Sequence, residues 1–210
     1  MPMPEAQSTR WRGKTWAAWG TLAITCVAYG VFALAAGFGL AESEKTRALP
    51  LPFQIHALAG GIALITGIAQ FNPAIRNRFV RAHRWSGRTY VLAACLASIA
   101  AVLNAAFFDV SLAARMSFVL LGCCWLLSTL LAYWMIRKPN VSLHREWMLR
   151  SFSLALFFVT FSFWVPVLAG NGQGKDTAYF LAVTMSWGLN LLVAEVWIWQ
   201  TRTGGSAPDT

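Results

Sequence analysis

The chain has 210 residues, of which 57% are hydrophobic and 12% are charged. A soluble domain carries about 25% charged residues, so this composition excludes an ordinary soluble protein. The formal net charge of +9 comes from 17 Lys and Arg residues against 8 Asp and Glu residues. Because the basic residues flank apolar segments and do not gather on a soluble face, they do not indicate nucleic-acid binding.

The apolar residues fall into six blocks, each long enough to cross a bilayer as a helix of about 20 residues. The predicted spans are residues 15–38, 53–72, 89–108, 113–136, 148–169 and 178–200. They predict an all-α, polytopic membrane protein, a bundle of six transmembrane helices in residues 15–200. Residues 1–14 are polar, basic and Pro-rich, and we expect a loosely structured cytoplasmic segment there. Residues 201–210 are expected to form a cytoplasmic tail.

Lys and Arg determine the predicted orientation, because they concentrate in the cytoplasmic segments of membrane proteins. With the N-terminus inside, the inner segments hold Arg10, Arg12, Lys14, Arg76, Arg78, Arg81, Arg84, Arg88, Arg137, Lys138, Arg145, Arg150 and Arg202. The outer segments hold Lys45, Arg47, Arg115 and Lys175. The sequence therefore predicts that both termini are cytoplasmic. It also predicts a basic inner surface that suits anionic lipid head groups.

The pattern I-R-x-x-x-V-x-x-H-R occurs twice, at residues 75–84 and 136–145. The two copies are offset by 61 positions, so spans 2 and 3 form one predicted hairpin and spans 4 and 5 form its repeat. Repeats of this kind can build a membrane site at their interface. The alternative is a chance similarity, because Arg is common in inner loops.

Two of the three histidines, His83 and His144, occupy the same position of this repeat. We predict that they lie just before spans 3 and 5, at helix N-termini. The partial positive charge there favours the neutral imidazole, which can bind a metal. The arginines that follow them are Arg84, Arg88, Arg145 and Arg150. These arginines are candidates for pairing with anionic groups, such as haem propionates or lipid phosphates. The alternative is that each His-Arg pair only contacts head groups.

The third histidine, His56, is predicted about one turn into span 2 from the outer side. Asn72 marks the inner end of that span, roughly 24 Å further along a helix. His56 therefore cannot share a metal with the other two histidines. It is a separate candidate ligand, with a hydrogen bond to a neighbouring helix as the alternative. The repeat places Ser117 at the corresponding position of span 4.

Several other residues inside the spans have structural interpretations. Glu195 is expected to form a structural ion pair with one of the four arginines named above, with a proton-carrying role as the alternative. Asn104 and Asn190 are expected to form hydrogen bonds between helices. Pro166 is expected to bend span 5. The small residues of span 2 are Ala57, Ala59, Gly60, Gly61, Ala63, Gly67 and Ala69. They predict close helix packing, with close approach to a flat cofactor as the alternative.

Three elements resemble a bacterial family of predicted membrane proteins of unknown function. They are the Gly-rich segment His56–Gly67, the HRxxGRxY motif at His83–Tyr90 and the HRxWMxRS motif at His144–Ser151. The resemblance covers roughly residues 50–165. It implies a protein of the bacterial cytoplasmic (inner) membrane, and it brings no established activity.

The order of the histidines also resembles that of the six-helix diheme b-type cytochromes of the ascorbate-dependent ferric reductase class. In that class one haem lies between the second and fourth spans and the other between the third and fifth. His83 and His144 match the third and fifth spans, and His56 matches the second, whereas Ser117 replaces the fourth-span ligand. The resemblance therefore implies at most one bis-histidine haem b. It implies a membrane oxidoreductase that exchanges electrons with quinol or a surface donor on the inner side.

The alternative function needs no cofactor. The protein would then be a small transporter, a lipid-binding protein or an accessory subunit, with arginines that bind anionic head groups and helix faces that allow oligomers. The sequence contains no P-loop, GxSxG, HExxH or EF-hand motif. Hydrolase and NTPase activities therefore have no residues to carry them.

Overall fold

The computed structural model describes residues 5–40, 51–170, 172 and 174–204, with the side chains of all but 5–15 and 204. All regular secondary structure in these residues is helical. The helices are α1 (Glu5–Gly37), α2 (Leu51–Gln70), α3 (Pro73–Arg78), α4 (Val80–Asn104), α5 (Leu112–Arg137), α6 (Val141–Ala155), α7 (Phe157–Ala169) and α8 (Lys175–Gly204).

Six stretches of the described chain are long and apolar enough to cross a membrane. They are Trp16–Gly37, Leu51–Gln70, Val80–Asn104, Leu112–Arg137, Val141–Ala169 and Lys175–Thr203. The predicted fold class, an all-α bundle of six transmembrane helices, is confirmed. Helices α6 and α7 together make the fifth span.

The ends of the spans differ from the predicted ones at functionally important places. The third span begins at Val80 and not at residue 89, and the fifth begins at Val141 and not at residue 148. The residues added are largely polar, and apolar blocks alone cannot reveal where such a helix starts. Helix α1 likewise begins at Glu5, so residues 5–14 are helical and the expectation of a loose segment there is wrong.

Consecutive spans run antiparallel and pack on each other. Helix α2 packs against α1 and α4, α5 packs against α4 and α6, and α8 packs against α5, α6 and α7. The bundle therefore has two ends. We call the end with the first turns of α4 and α6 the His83 end, and the end with the first turns of α2 and α5 the His56 end.

The helix starts repeat with the same offset as the sequence motif. Helices α2 and α5 begin at Leu51 and Leu112, which are 61 positions apart, as are Val80 and Val141, where α4 and α6 begin. The first hairpin differs in one place, because α2 stops at Gln70 and α3 follows after a turn. The Asn72 side chain caps α3 and accepts hydrogen bonds from two backbone amides, at 2.8 and 3.3 Å.

Glycines of α2 allow two close helix contacts. A Cβ atom at Gly61 would lie 2.6 Å from the carbonyl oxygen of Gly30 in α1, and one at Gly67 would lie 2.6 Å from the ring of Phe152 in α6. The prediction of close helix packing is confirmed at these two positions. Gly60 is different, because a Cβ atom there would meet nothing within 4 Å.

The fifth span is interrupted at Leu156, between α6 and α7, and not at Pro166, which lies inside α7. The proline lacks an amide hydrogen, but the interruption occurs ten residues earlier in the chain. At the interruption, the Thr160 hydroxyl lies within hydrogen-bond distance of the Leu156 carbonyl, at 3.3 Å, and of the Phe157 carbonyl, at 3.1 Å. Asn190 in α8 donates to the Thr160 hydroxyl at 3.1 Å, which confirms its predicted role between helices.

Candidate functional site

His83 and His144 are each the fourth residue of a helix, counting from Val80 in α4 and Val141 in α6. Their backbone amides already belong to the helices, because the His83 amide donates to the Phe79 carbonyl and the His144 amide donates to the Asn140 carbonyl. The prediction that the histidines lie just before spans 3 and 5 is therefore wrong, since both lie inside them. The two histidines nevertheless occupy the same position in their helices, as the repeat predicted.

The faces of α4 and α6 that carry these histidines point toward each other. Tyr90 and Ser151 each follow a repeat histidine by seven positions, and residues seven apart lie on one face of a helix. The hydroxyls of Tyr90 and Ser151 are 2.7 Å apart and join the two helices. This contact lies roughly 10 Å from the histidines along the helix axes.

The ring of His144 is held by a backbone group. Its Nδ1–H donates to the carbonyl oxygen of Ala132 in α5 at 2.8 Å. A carbonyl can only accept, so Nδ1 carries the proton and the neutral ring keeps a lone pair on Nε2. Histidines that bind a metal commonly donate their other ring N–H to a carbonyl in this way.

His83 has no equivalent bond. Its Nδ1 is buried and has no hydrogen-bond partner among the described residues. The repeat counterpart of Ala132 is Phe71, and α2 has already ended at Gln70. Ala132 lies inside α5, whereas Phe71 lies beyond the end of α2. The first hairpin therefore has no helical carbonyl at the position where Ala132 accepts from His144. An orphaned polar atom of this kind is uncommon in a folded protein.

The four candidate arginines have different surroundings. Arg84 and Arg145, next to the histidines, are exposed. The Arg88 guanidinium lies 5.1 Å from the ring centre of Trp85, and the Arg150 guanidinium lies 4.5 Å from that of Trp147. These cation–π contacts place the guanidinium groups of Arg88 and Arg150 against aromatic rings. Arg88 is nevertheless exposed, as Arg84 and Arg145 are.

Glu195 pairs with Arg150, which is one of the four arginines predicted as its partner. Its Nε and Nη2 groups donate to the two carboxylate oxygens at 2.6 and 2.9 Å. Glu146 lies 3.7 Å from Arg150 and also accepts from Arg202 of α8. The prediction of a structural ion pair for Glu195 is confirmed. Because both carboxylates engage it, Arg150 is less free than Arg84 or Arg145 to bind an anionic ligand.

His56 lies at the opposite end of the bundle. Its Nδ1–H donates to the carbonyl oxygen of Ala97 in α4 at 2.9 Å, which confirms the predicted hydrogen bond to a neighbouring helix. Asn104 of α4 likewise donates to the Pro52 carbonyl at 3.2 Å. Ser117, the repeat counterpart of His56, accepts from the Trp187 indole at 3.0 Å. The Ser117 hydroxyl therefore links α5 to α8.

The possible metal ligands at the His83 end are two imidazoles, His83 and His144. Within the described ranges, no three His, Cys, Asp or Glu side chains stand close enough to hold a metal together. Two imidazoles would leave a simple ion under-coordinated. Haem iron needs only two axial ligands from the protein, because the macrocycle supplies the others. Two imidazoles are the donor set that a bis-histidine haem would use.

A family model described as "Predicted membrane protein (DUF2306)" matches residues 53–198. The match extends from α2 into α8 and includes all three histidines and Glu195. The chain belongs to this family. No curated protein and no solved structure matches the chain. Membership of the DUF2306 family confirms the resemblance drawn from the three motifs, and its description assigns no reaction.

One element of this DUF2306 protein was missed in the sequence, a chain of buried hydroxyl groups between α4, α5 and α6. The Thr129 hydroxyl donates to the Trp125 carbonyl at 2.8 Å, so Ser151 must donate to Thr129, at 2.7 Å. Tyr90 then donates to Ser151. The equal spacing of Tyr90 and Ser151 from the repeat histidines is the sequence signal that could have revealed this contact.

Replacement of Tyr90 by phenylalanine is expected to lower the free energy of unfolding by about 1 kcal/mol, because the buried Ser151 oxygen loses its donor. Tyr90 is fully buried, whereas Tyr133 is 44% exposed, so Tyr133→Phe is the matched control and should be neutral. Thermal unfolding of the purified proteins in detergent measures both. Equal stability of Tyr90→Phe and wild type would show that this hydroxyl chain does not stabilise the bundle.

Proposed function

We propose that this DUF2306 protein is a b-type haem protein that transfers electrons at the cytoplasmic face of a bacterial inner membrane, with His83 and His144 as axial ligands. The observation that carries the proposal is the Tyr90–Ser151 hydrogen bond. It turns the histidine-bearing faces of α4 and α6 toward each other, and the two histidines occupy equal positions in these helices.

The ring nitrogens support the same assignment. His144 donates its Nδ1–H to Ala132 and retains the Nε2 lone pair that iron requires. His83 has a buried ring nitrogen that no described residue satisfies. Iron bound at this nitrogen, Nδ1, would give it a partner. His56 and Ser117 lie at the other end of the bundle, so they support no second haem.

The arginines at the His83 end fit the anionic edge of a haem. Arg84 and Arg145 adjoin the ligands and are exposed, so they are the preferred partners of its propionates. Arg88 is the next candidate. Arg150 would have to share its guanidinium with Glu195 and Glu146. Haem b, when bound, carries single electrons.

One haem near one membrane face cannot pass electrons across the whole bilayer. We therefore propose that the protein is a membrane oxidoreductase that exchanges electrons on a single side, with quinol or a surface donor as the electron source. The predicted arrangement puts the His83 end and both termini in the cytoplasm. Arg76, Arg78 and Arg137 at this end support it, since basic residues mark cytoplasmic segments. A C-terminal reporter that fluoresces only in the cytoplasm tests this orientation, and a dark fusion would contradict it.

A second candidate function is recognition of anionic lipids, favoured by the exposure of Arg84 and Arg145. In that case the protein is a lipid-binding or accessory subunit, a small transporter, or part of an oligomer, and it contains no chromophore. Removal of both charges should then weaken binding to vesicles that contain anionic lipid. Unchanged vesicle binding of the Arg84→Ala/Arg145→Ala variant would count against this candidate.

The haem content of the purified protein tests the main proposal. We expect one haem b per chain by the pyridine haemochrome assay, after expression with a haem precursor. Two haems per chain would contradict the single site, because the described part of the bundle offers one matched histidine pair. A colourless protein would refute the proposal and favour the lipid-binding candidate.

A further inference from the structure

We propose that a cavity at the His56 end binds a lipid-soluble aromatic ring that carries a hydroxyl group, such as the head group of a hydroquinone. This inference does not rest on the proposed haem, which lies at the other end of the bundle. It rests on the size and lining of the cavity, on one free ring nitrogen and on an opening toward the bilayer.

The cavity has a volume of about 320 Å³ and is lined by residues of α1, α2, α4, α5, α6, α7 and α8. An engineered apolar cavity of about 150 Å³ is known to hold benzene, so this one has room for a substituted ring. Aromatic side chains dominate the lining, among them Phe118, Phe157, Phe161 and Tyr179. Phe161 and Tyr179 meet edge to face with ring centres 5.4 Å apart. Such walls favour a flat, apolar ligand.

His56 supplies the polar group that would orient a ligand. Its Nδ1–H is used by the Ala97 carbonyl, so Nε2 keeps a lone pair and can only accept a hydrogen bond. Among the described residues Nε2 has no partner. His56 lines the cavity, and so does Gly60 one turn further along the same face of α2. The missing side chain at Gly60 leaves open space beside the imidazole.

The wall of the cavity includes residues on the lipid-facing surface. Phe32 of α1 and Phe158 of α7 line it and are 55% and 37% exposed. Their rings are stacked with centres 6.4 Å apart and an interplanar angle of 13°. A ligand dissolved in the bilayer can therefore reach the cavity sideways, past two aromatic rings, without passing through water.

An imidazole that only accepts a hydrogen bond selects a ligand that donates one. A phenolic hydroxyl meets that need, whereas its methyl ether has the same ring and no donor. This distinction separates a specific site from an apolar void that any acyl chain can fill. A buried hydrogen bond corresponds to a preference of about tenfold.

The test is equilibrium dialysis of the detergent-purified protein with trimethylhydroquinone under argon, and with its dimethyl ether, against protein-free micelles. We expect wild type to bind the hydroquinone about tenfold more tightly than the ether. His56→Leu should bind both equally. Gly60→Leu should bind neither, because its side chain would occupy the cavity.

The matched control is Gly188→Leu, because a Cβ atom at Gly188 in α8 also meets nothing within 4 Å and this residue does not line the cavity. It should bind the hydroquinone like wild type. Equal binding of hydroquinone and ether by wild type would overturn the proposal, as would undiminished binding by Gly60→Leu. The comparison of the two probes in wild type needs no variant, so it decides the matter even if a substitution prevents folding.

Discussion

Replacement of either His83 or His144 by alanine is expected to remove the proposed haem from the purified protein or to leave it weakly bound. Loss of a residue that merely orients a metal ligand typically lowers metal affinity 10- to 100-fold, so loss of a ligand should cost at least about tenfold. The measurement is haem content per chain together with the oxidised and dithionite-reduced absorbance spectra.

His56→Ala is the matched control, since it removes the third histidine at the opposite end of the bundle and should leave haem content unchanged. Added imidazole should partly restore the spectrum of His144→Ala, because it can occupy the vacated axial position. Wild-type haem content in either single variant would contradict the assignment of His83 and His144.

Replacement of Gly61 by alanine is expected to lower the free energy of unfolding by about 1–3 kcal/mol, the usual cost of overpacking. The added Cβ atom would lie 2.6 Å from the Gly30 carbonyl oxygen, and backbone atoms cannot move aside as a flexible side chain can. Helices α1 and α2 would therefore have to separate. Thermal or denaturant unfolding in detergent measures the loss.

Gly60→Ala is the control one residue away in the same helix. It carries the same gain in helix propensity, and its new methyl group meets open space. It should be neutral or slightly stabilising. If Gly61→Ala were as stable as Gly60→Ala, the close contact between α1 and α2 would not limit the stability of the bundle.

The sequence was sufficient for the features that depend on chemical composition or on spacing. Six apolar blocks predicted six spans, because an apolar helix of about 20 residues crosses the bilayer with its backbone groups hydrogen-bonded to one another. The offset of 61 positions predicted the equal placement of His83 and His144. The prediction that Glu195 pairs with one of the four arginines near the repeat histidines also holds, because a carboxylate within a span needs a cation nearby.

The features that the sequence did not reveal depend on backbone position. Helices α4 and α6 begin within polar residues, where no apolar pattern marks a start. The interruption at Leu156 involves no proline or glycine. The orientation of the His56 and His144 rings depends on the carbonyls of Ala97 and Ala132, and every residue carries such a group. The cavity is lined by residues of seven helices, so no local pattern encodes it.

The most direct test of the central claim, that His83 and His144 together bind one haem, is the electron paramagnetic resonance spectrum of the oxidised protein. Two imidazole ligands should give a low-spin ferric signal in wild type and in His56→Ala. In His83→Ala and His144→Ala this signal should be lost or replaced by a high-spin one. A wild type without a low-spin signal, or a low-spin signal that persists unchanged in both variants, would contradict the claim.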